Sequence, residues 1–97
     1  NINYIELLID DSMEQPILEF IKLSNNFINA NKNTNILIYC NSGISRSATI
    51  IIGYLMQKHN WNYNDAFNFL KLKYPKAHPN ENFKNQLSKY TFLSHNN

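Results

Sequence analysis

Ile5, Leu7 and Ile9 take every second place between Tyr4 and Ile9, the period of a strand with one buried face. The acidic stretch Asp10-Asp11-Ser12-Met13-Glu14 then reads as a loop. Pro16 suits a first helical turn, and Ile17, Leu18, Phe20, Ile21, Phe27 and Ile28 recur at helical spacing until the polar stretch Asn29 to Asn35. Ile36-Leu37-Ile38-Tyr39 is a continuous apolar run, the pattern of a strand buried on both faces. Beyond Cys40 to Arg46, apolar residues from Ala48 to Met56 cover nearly the whole circumference of a helix predicted from about Ser47 to His59, which should be central and buried. Asn62 with Asp65 resembles a capping box opening a helix to about Tyr74. Pro75 and Pro79 bracket a turn, and Asn80 can cap a last helix carrying Phe83, Leu87, Tyr90 and Leu93. Strand, helix, strand and helices in that order predict an α/β fold with a central sheet flanked by helices.

Length and charge narrow the function classes. A chain of 97 residues makes one domain, 1–97, and no linker or repeat divides it. The apolar stretch Ala48 to Met56, broken by Thr49 and Gly53, is far short of the ~20 residues of a membrane span, so no membrane role is predicted. A net charge of +2 lacks the basic footprint that nucleic-acid binding requires. A single Cys excludes an internal disulfide and a multi-Cys zinc site, and it suits a reducing compartment, read here as cytoplasmic or nuclear.

The basic residues carry one informative exception. Eight of the nine are Lys, and the only Arg, Arg46, follows the only Cys, Cys40, by six positions. Taken singly, Cys40 would be an ordinary strand-end thiol and Arg46 a helix-surface residue. Together, at the junction of a buried strand, a short loop and a helix, they suggest more. Gly43 permits a positive φ, so the loop amides of Asn41, Ser42, Gly43, Ile44 and Ser45 can turn inward as an anion-binding nest. The helix N-terminus adds its positive dipole end, and Arg46 can close the ring with a bidentate contact to two oxygens of a phosphate. The same field favours a thiolate at Cys40 and should lower its pKa from the free value of about 8.5. A thiolate at the base of a phosphate cradle is a nucleophile aimed at phosphorus.

The segment Ile38-Tyr39-Cys40-Asn41-Ser42-Gly43-Ile44-Ser45-Arg46-Ser47-Ala48-Thr49 resembles the signature loop of the cysteine-dependent protein phosphatases, Cys-x5-Arg. The Gly-x-Ser-Arg-Ser element, Gly53-Tyr54-Leu55-Met56 and the tail Pro79-Asn80-Glu81-Asn82-Phe83-Lys84-Asn85-Gln86-Leu87 are similar to the dual-specificity branch, and the likeness runs from Tyr4 to about Leu93. It implies a protein-tyrosine-phosphatase-like fold and a metal-independent, cofactor-free phosphomonoesterase acting on phosphotyrosine and phosphoserine/threonine in proteins. Cys40 would form a phosphocysteine, Arg46 and the loop amides would hold the equatorial oxygens, and Ser47 would help the thiolate leave in the second step. Ser47 can equally be read as a helix cap, and Ser45 as a residue that bonds within the loop.

A general acid is also needed, and the residues alone leave Asp10, Asp11 and Glu14 as candidates. The family keeps its acid in the loop ahead of the helix preceding the Cys strand. Laid on that pattern without gaps, the chain has Asp11 there, with Asp10 second. Two departures stand out. Tyr39 replaces the family's His before the Cys, which implies a less buttressed loop and lower activity; otherwise Tyr39 simply packs in a buried strand. The chain also starts inside the family fold with Asn rather than Met, as a fragment without the N-terminal strand–helix–strand portion would.

The alternative from another class is a non-catalytic phospho-binding or scaffold module of the same fold. Low-molecular-weight phosphatases fit less well, because 39 residues precede Cys40 and no Asp-Pro occurs. Neutral Asn41, Ser42 and Ile44 disfavour phosphoinositide substrates, whose additional phosphates want cationic partners. His59, His78, His95, Trp61, Tyr63, Phe67 and Phe69 are read as solvent or packing residues.

Overall fold

Helix formation follows the apolar periodicity closely in the computed structural model, which describes residues 4–40 and 44–90. Helix α1 spans Leu18–Ala30 and buries Ile21, Ser24, Asn25 and Ile28 along one face. Helix α2 spans Arg46–His59, α3 spans Tyr63–Lys73 and α4 spans Glu81–Ser88. As the all-round apolar pattern of α2 requires, this helix is central: it packs against α1, α3 and α4. Ala48, Ile50, Ile52 and Met56 of α2 join Ile17, Ile21, Ala66, Phe83 and Leu87 in one core. Among the described residues no helix is long and apolar enough to cross a membrane.

Gly53 sets how closely α1 and α2 approach. A Cβ built there would lie 2.7 Å from Cγ2 of Ile21, whose side chain is fully buried. Such a contact is closer than packed atoms allow, so a side chain at 53 would force Ile21 or the helices to shift.

Local signals end and begin the helices. Asn60 stops α2 in the left-handed region at φ 58°, which Asn tolerates better than most residues. Asn62 Oδ1 accepts the N–H of Asp65 at 2.8 Å and caps α3. Asn80 Oδ1 accepts the N–H of Phe83 at 2.8 Å and caps α4. The aromatic residues after α2 pack as read: His59 stacks on Trp61 at 4.3 Å between centroids, and Trp61 meets Phe69 at 5.4 Å. Tyr63 lies in the core, where burial first and the Glu81 carboxylate second push its hydroxyl pKa up to about 12.

Several expectations are corrected. Pro16 is not in the first turn of α1, which begins at Leu18; the N–H of Ile17 instead donates to Gln86 Oε1 at 2.9 Å. Helix α4 stops at Ser88, so Tyr90 lies beyond it, and Leu93 is outside the described residues.

The two runs read as strands, 4–9 and 36–39, form no β-ladder among the described residues. A strand needs a neighbour at ladder spacing for its N–H and C=O groups, and neither run provides it for the other. Both instead line a groove of about 1110 Å³. Leu37 and Tyr39 are 82% and 79% exposed, so this run is not buried on two faces and Tyr39 does not pack in a core. No strand is assigned among the described residues, so they do not by themselves show the central sheet.

Candidate active site

The site is assembled where the 36–40 run meets the N-terminus of α2. Ser45 stands at the N-cap position and its carbonyl accepts both the N–H and the Oγ1–H of Thr49, at 2.9 and 2.7 Å. Its hydroxyl makes no cap bond. Ser47, the second residue of the helix, is therefore not the cap, and its groups face the cysteine. Its backbone N–H donates to Cys40 Sγ at 3.4 Å, and its Oγ lies 3.5 Å from the same sulfur. Cys40 is half-buried. A sulfur that receives the N–H of a first-turn residue sits in the positive end of the helix dipole, which stabilises a thiolate over a thiol.

Arg46, the first residue of α2, reaches back toward the acidic loop. Its Nη1 donates to the carbonyl of Ile9 at 3.3 Å. Its Nε is buried and has no hydrogen-bond partner among the described residues. A buried guanidinium N–H left unpaired is costly, and an oxyanion is the partner such a group takes most strongly. Asn41, Ser42 and Gly43, the other expected phosphate-binding residues, lie outside the described residues. The Ile44 carbonyl accepts the N–H of His78 at 2.8 Å, which ties the end of the loop to the turn before α4.

Of the three acidic candidates, Asp11 is the one whose carboxylate is bonded into this assembly. Its Oδ1 accepts the hydroxyl of Ser45 at 2.8 Å and the side-chain amide of Asn80 at 2.8 Å. Ser45 Oγ in turn accepts the backbone N–H of Asn80 at 3.1 Å. Thus Ser45 bonds outside its own loop, to the acidic loop and to the start of α4. Asp10 and Glu14 are exposed; the Asp10 N–H donates to Gln15 Oε1 at 2.9 Å.

Residues from the tail grip the same loop. Asn80 Nδ2 also donates to the Ser12 carbonyl at 3.1 Å. Asn82 Nδ2 donates to the carbonyls of Ser12 and Gln15 at 3.0 and 2.9 Å, and Gln86 Nε2 donates to Gln15 at 2.8 Å. In the sequence Asn80 reads as a helix cap and, with Asn82 and Gln86, as part of the tail motif, and none of the three reads as a partner of the acidic loop. The amide side chains at 80, 82 and 86 were the available signal, because a helix start rich in Asn and Gln offers donors that a neighbouring loop can use.

Comparison with known proteins decides the relationship. The family model described as dual specificity phosphatase, catalytic domain, matches residues 1–92. The chain belongs to this family.

Named relatives of this phosphatase domain agree. It is 39% identical over 89 residues to tyrosine-protein phosphatase yvh1 of Schizosaccharomyces pombe, covering 90% of this chain and 27% of that protein. It is 40% identical over 86 residues to dual specificity protein phosphatase 6 of Homo sapiens, covering 87% of this chain and 23% of that protein. Among solved structures, DUSP15 superposes with a TM-score of 0.86 at 33% identity, covering 91% of this chain and 58% of that one. The human tyrosine phosphatase-like serine/threonine/tyrosine-interacting protein gives 0.80 at 32% identity, covering 84% of this chain and 56% of that one. The domain thus shares the phosphatase fold, and it spans about a quarter of the length of these two curated relatives.

Proposed function

We propose that this dual-specificity phosphatase domain is a phosphomonoesterase that removes phosphate from phosphotyrosine and phosphoserine/threonine in proteins through a phosphocysteine. The observation that carries the reading is the Ser47 N–H on Cys40 Sγ at the start of α2, with the buried Nε of Arg46, which has no partner among the described residues, on the preceding residue of the same turn. An anion-stabilised sulfur and a guanidinium that wants an oxyanion are what phosphoryl transfer to cysteine requires.

In the first step Cys40 thiolate attacks phosphorus and forms the S–P bond while the bond to the leaving oxygen breaks. Asp11 gives its proton to that oxygen. Arg46 and the amides of loop 41–45 hold the three equatorial oxygens throughout. In the second step water attacks phosphorus and Asp11 takes its proton. The S–P bond breaks, inorganic phosphate leaves, and the Ser47 hydroxyl donates to the returning thiolate. No metal has a part in this route. The apolar runs 4–9 and 36–39 are read as strands of the family's central sheet, and the location as cytoplasmic or nuclear.

The test is hydrolysis of an aryl phosphate in excess chelator, with Cys40→Ser alongside. Turnover that survives chelation, is blocked by vanadate and vanishes in Cys40→Ser supports the reading. Full turnover in Cys40→Ser removes Cys40 as nucleophile. Vanadate binding without any turnover in the parent chain points to the non-catalytic module.

A further inference from the structure

The side chain and backbone N–H of Asn80 make four bonds, of which the Nδ2 contact with the Ser12 carbonyl at 3.1 Å ties it to the acidic loop's backbone. Of the other three, Oδ1 accepts the N–H of Phe83 at 2.8 Å, the backbone N–H donates to Ser45 Oγ at 3.1 Å, and Nδ2 donates to Asp11 Oδ1 at 2.8 Å. The first is a helix cap. The second and third close a triangle with the Ser45–Asp11 bond of 2.8 Å, joining the end of the cysteine loop, the acidic loop and the start of α4.

We propose that Asn80 is a positioning residue for proton transfer: its side-chain amide, with the Ser45 hydroxyl, fixes the Asp11 carboxyl relative to the cysteine loop. The inference rests on the proposed reading of Asp11 as the acid. The physical reason lies in the geometry. Asp11 is exposed and stands in a loop, where a carboxyl would otherwise sample several rotamers. Two donors on the same oxygen restrict it, and they leave the other oxygen, Oδ2, outside this triangle and available to carry the transferable proton. Both donors are themselves held. Ser45 is buried, and the Asn80 side chain is pinned at its other end by the cap bond. Asn82 and Gln86 hold the loop's own carbonyls at residues 12 and 15, so the backbone under Asp11 is anchored to the same helix. Proton transfer depends steeply on such placement.

The cap and the positioning role can be separated by substitution. Asp is as good a helix N-cap as Asn, so Asn80→Asp keeps an acceptor for the Phe83 N–H. It replaces the amide donor by a carboxylate oxygen facing Asp11. Asn80→Ala removes both and serves as the second variant. Each is measured on two aryl phosphates: one whose leaving phenolate needs no proton, and phenyl phosphate, whose leaving oxygen does. Melting temperature is recorded for each, with Asp11→Asn and Asp11→Asn/Asn80→Asp as references.

The expected result for Asn80→Asp is a somewhat lowered melting temperature with the fold intact, since the Nδ2 bonds to Asp11 and Ser12 are lost, an unchanged KM and a kcat on phenyl phosphate lowered roughly 10- to 100-fold, part of the range that general acids contribute. On the activated ester its kcat stays within about threefold, and in the double variant it adds nothing to Asp11→Asn. Equal losses of Asn80→Asp on both esters, or parent-like kcat on both, overturn the positioning role while Asp11→Asn still separates the two esters. If Asp11→Asn itself treats the two esters alike, the acid reading fails and the positioning role fails with it. Asn80→Ala should show the same ester dependence on a less stable fold; without that dependence the role is refuted.

Discussion

The Ser47 N–H points at Cys40 Sγ across 3.4 Å. The two stand seven positions apart in sequence, and Ser47 is the second residue of α2. The consequence is electrostatic: the sulfur meets the unsatisfied end of a helix at the point where the dipole is strongest.

The Ser47 side chain provides a second contact to the same sulfur, at 3.5 Å, and the two can be told apart. Ser47→Ala keeps the N–H and loses the hydroxyl. The first chemical step should be nearly unaffected and breakdown of the phosphoenzyme slowed by roughly 10-fold or more, the loss of one hydrogen bond to a charged group. Rapid-mixing kinetics should show a burst of phenol release absent in the parent. A lowered first step without a burst would assign the hydroxyl a different role.

Arg46 is the single Arg in a chain that otherwise uses Lys, and its Nε is buried with no partner among the described residues. An ammonium cannot reproduce the planar fork. Arg46→Lys should lower kcat/KM about 100-fold to 1000-fold, as loss of a transition-state donor does. It should also weaken vanadate binding. Near-normal turnover would show that the guanidinium does not reach the phosphoryl group.

Much of this arrangement is legible in the sequence where the cause is local. Asn62 and Asn80 announce their caps because a cap is a contact three residues long. The all-round apolar pattern of α2 announces its central place. Cys40 and Arg46 stand out because each is the only one of its kind. What fails is non-local. Alternation at Ile5, Leu7 and Ile9 states a strand's period but not its partner, and the runs 4–9 and 36–39 form no ladder among the described residues. The Asp11–Asn80 bond spans 69 positions and leaves no trace in the pattern of either segment. The Ser45–Asp11 bond, 34 positions long, is equally invisible in Ser45's own segment.

Gly53 offers a stability test remote from the chemistry. Gly53→Ala places a methyl group 2.7 Å from Ile21 Cγ2 at a fully buried crossing. Overpacking of this kind costs about 1–3 kcal/mol, which exceeds the ~1 kcal/mol that Ala gains over Gly in a helix. The melting temperature should fall, and Gly53→Ala combined with Ile21→Val should recover part of the loss. An unchanged or higher melting temperature would mean that α1 and α2 can separate freely.

Tyr63 makes stability depend on alkaline pH. Burial and Glu81 raise its folded pKa to about 12, above the ordinary value of 10.0. The neutral phenol is then favoured in the fold, so its contribution is complete below pH 10 and declines as pH rises from about 10 toward 12. Denaturant unfolding should show that decline in the parent and a shallower one in Tyr63→Phe. Identical slopes would place the hydroxyl in water.

The central claim is a covalent phosphocysteine at Cys40, and the most direct test is to trap it. The domain is mixed with an activated aryl phosphate, quenched in acid within the burst, and digested for mass spectrometry, with Ser47→Ala used to slow breakdown. The account predicts the added mass of one phosphoryl group on the peptide carrying Cys40, lost in Cys40→Ser. Turnover in the same sample with the phosphoryl group on another residue, or on none, would contradict it.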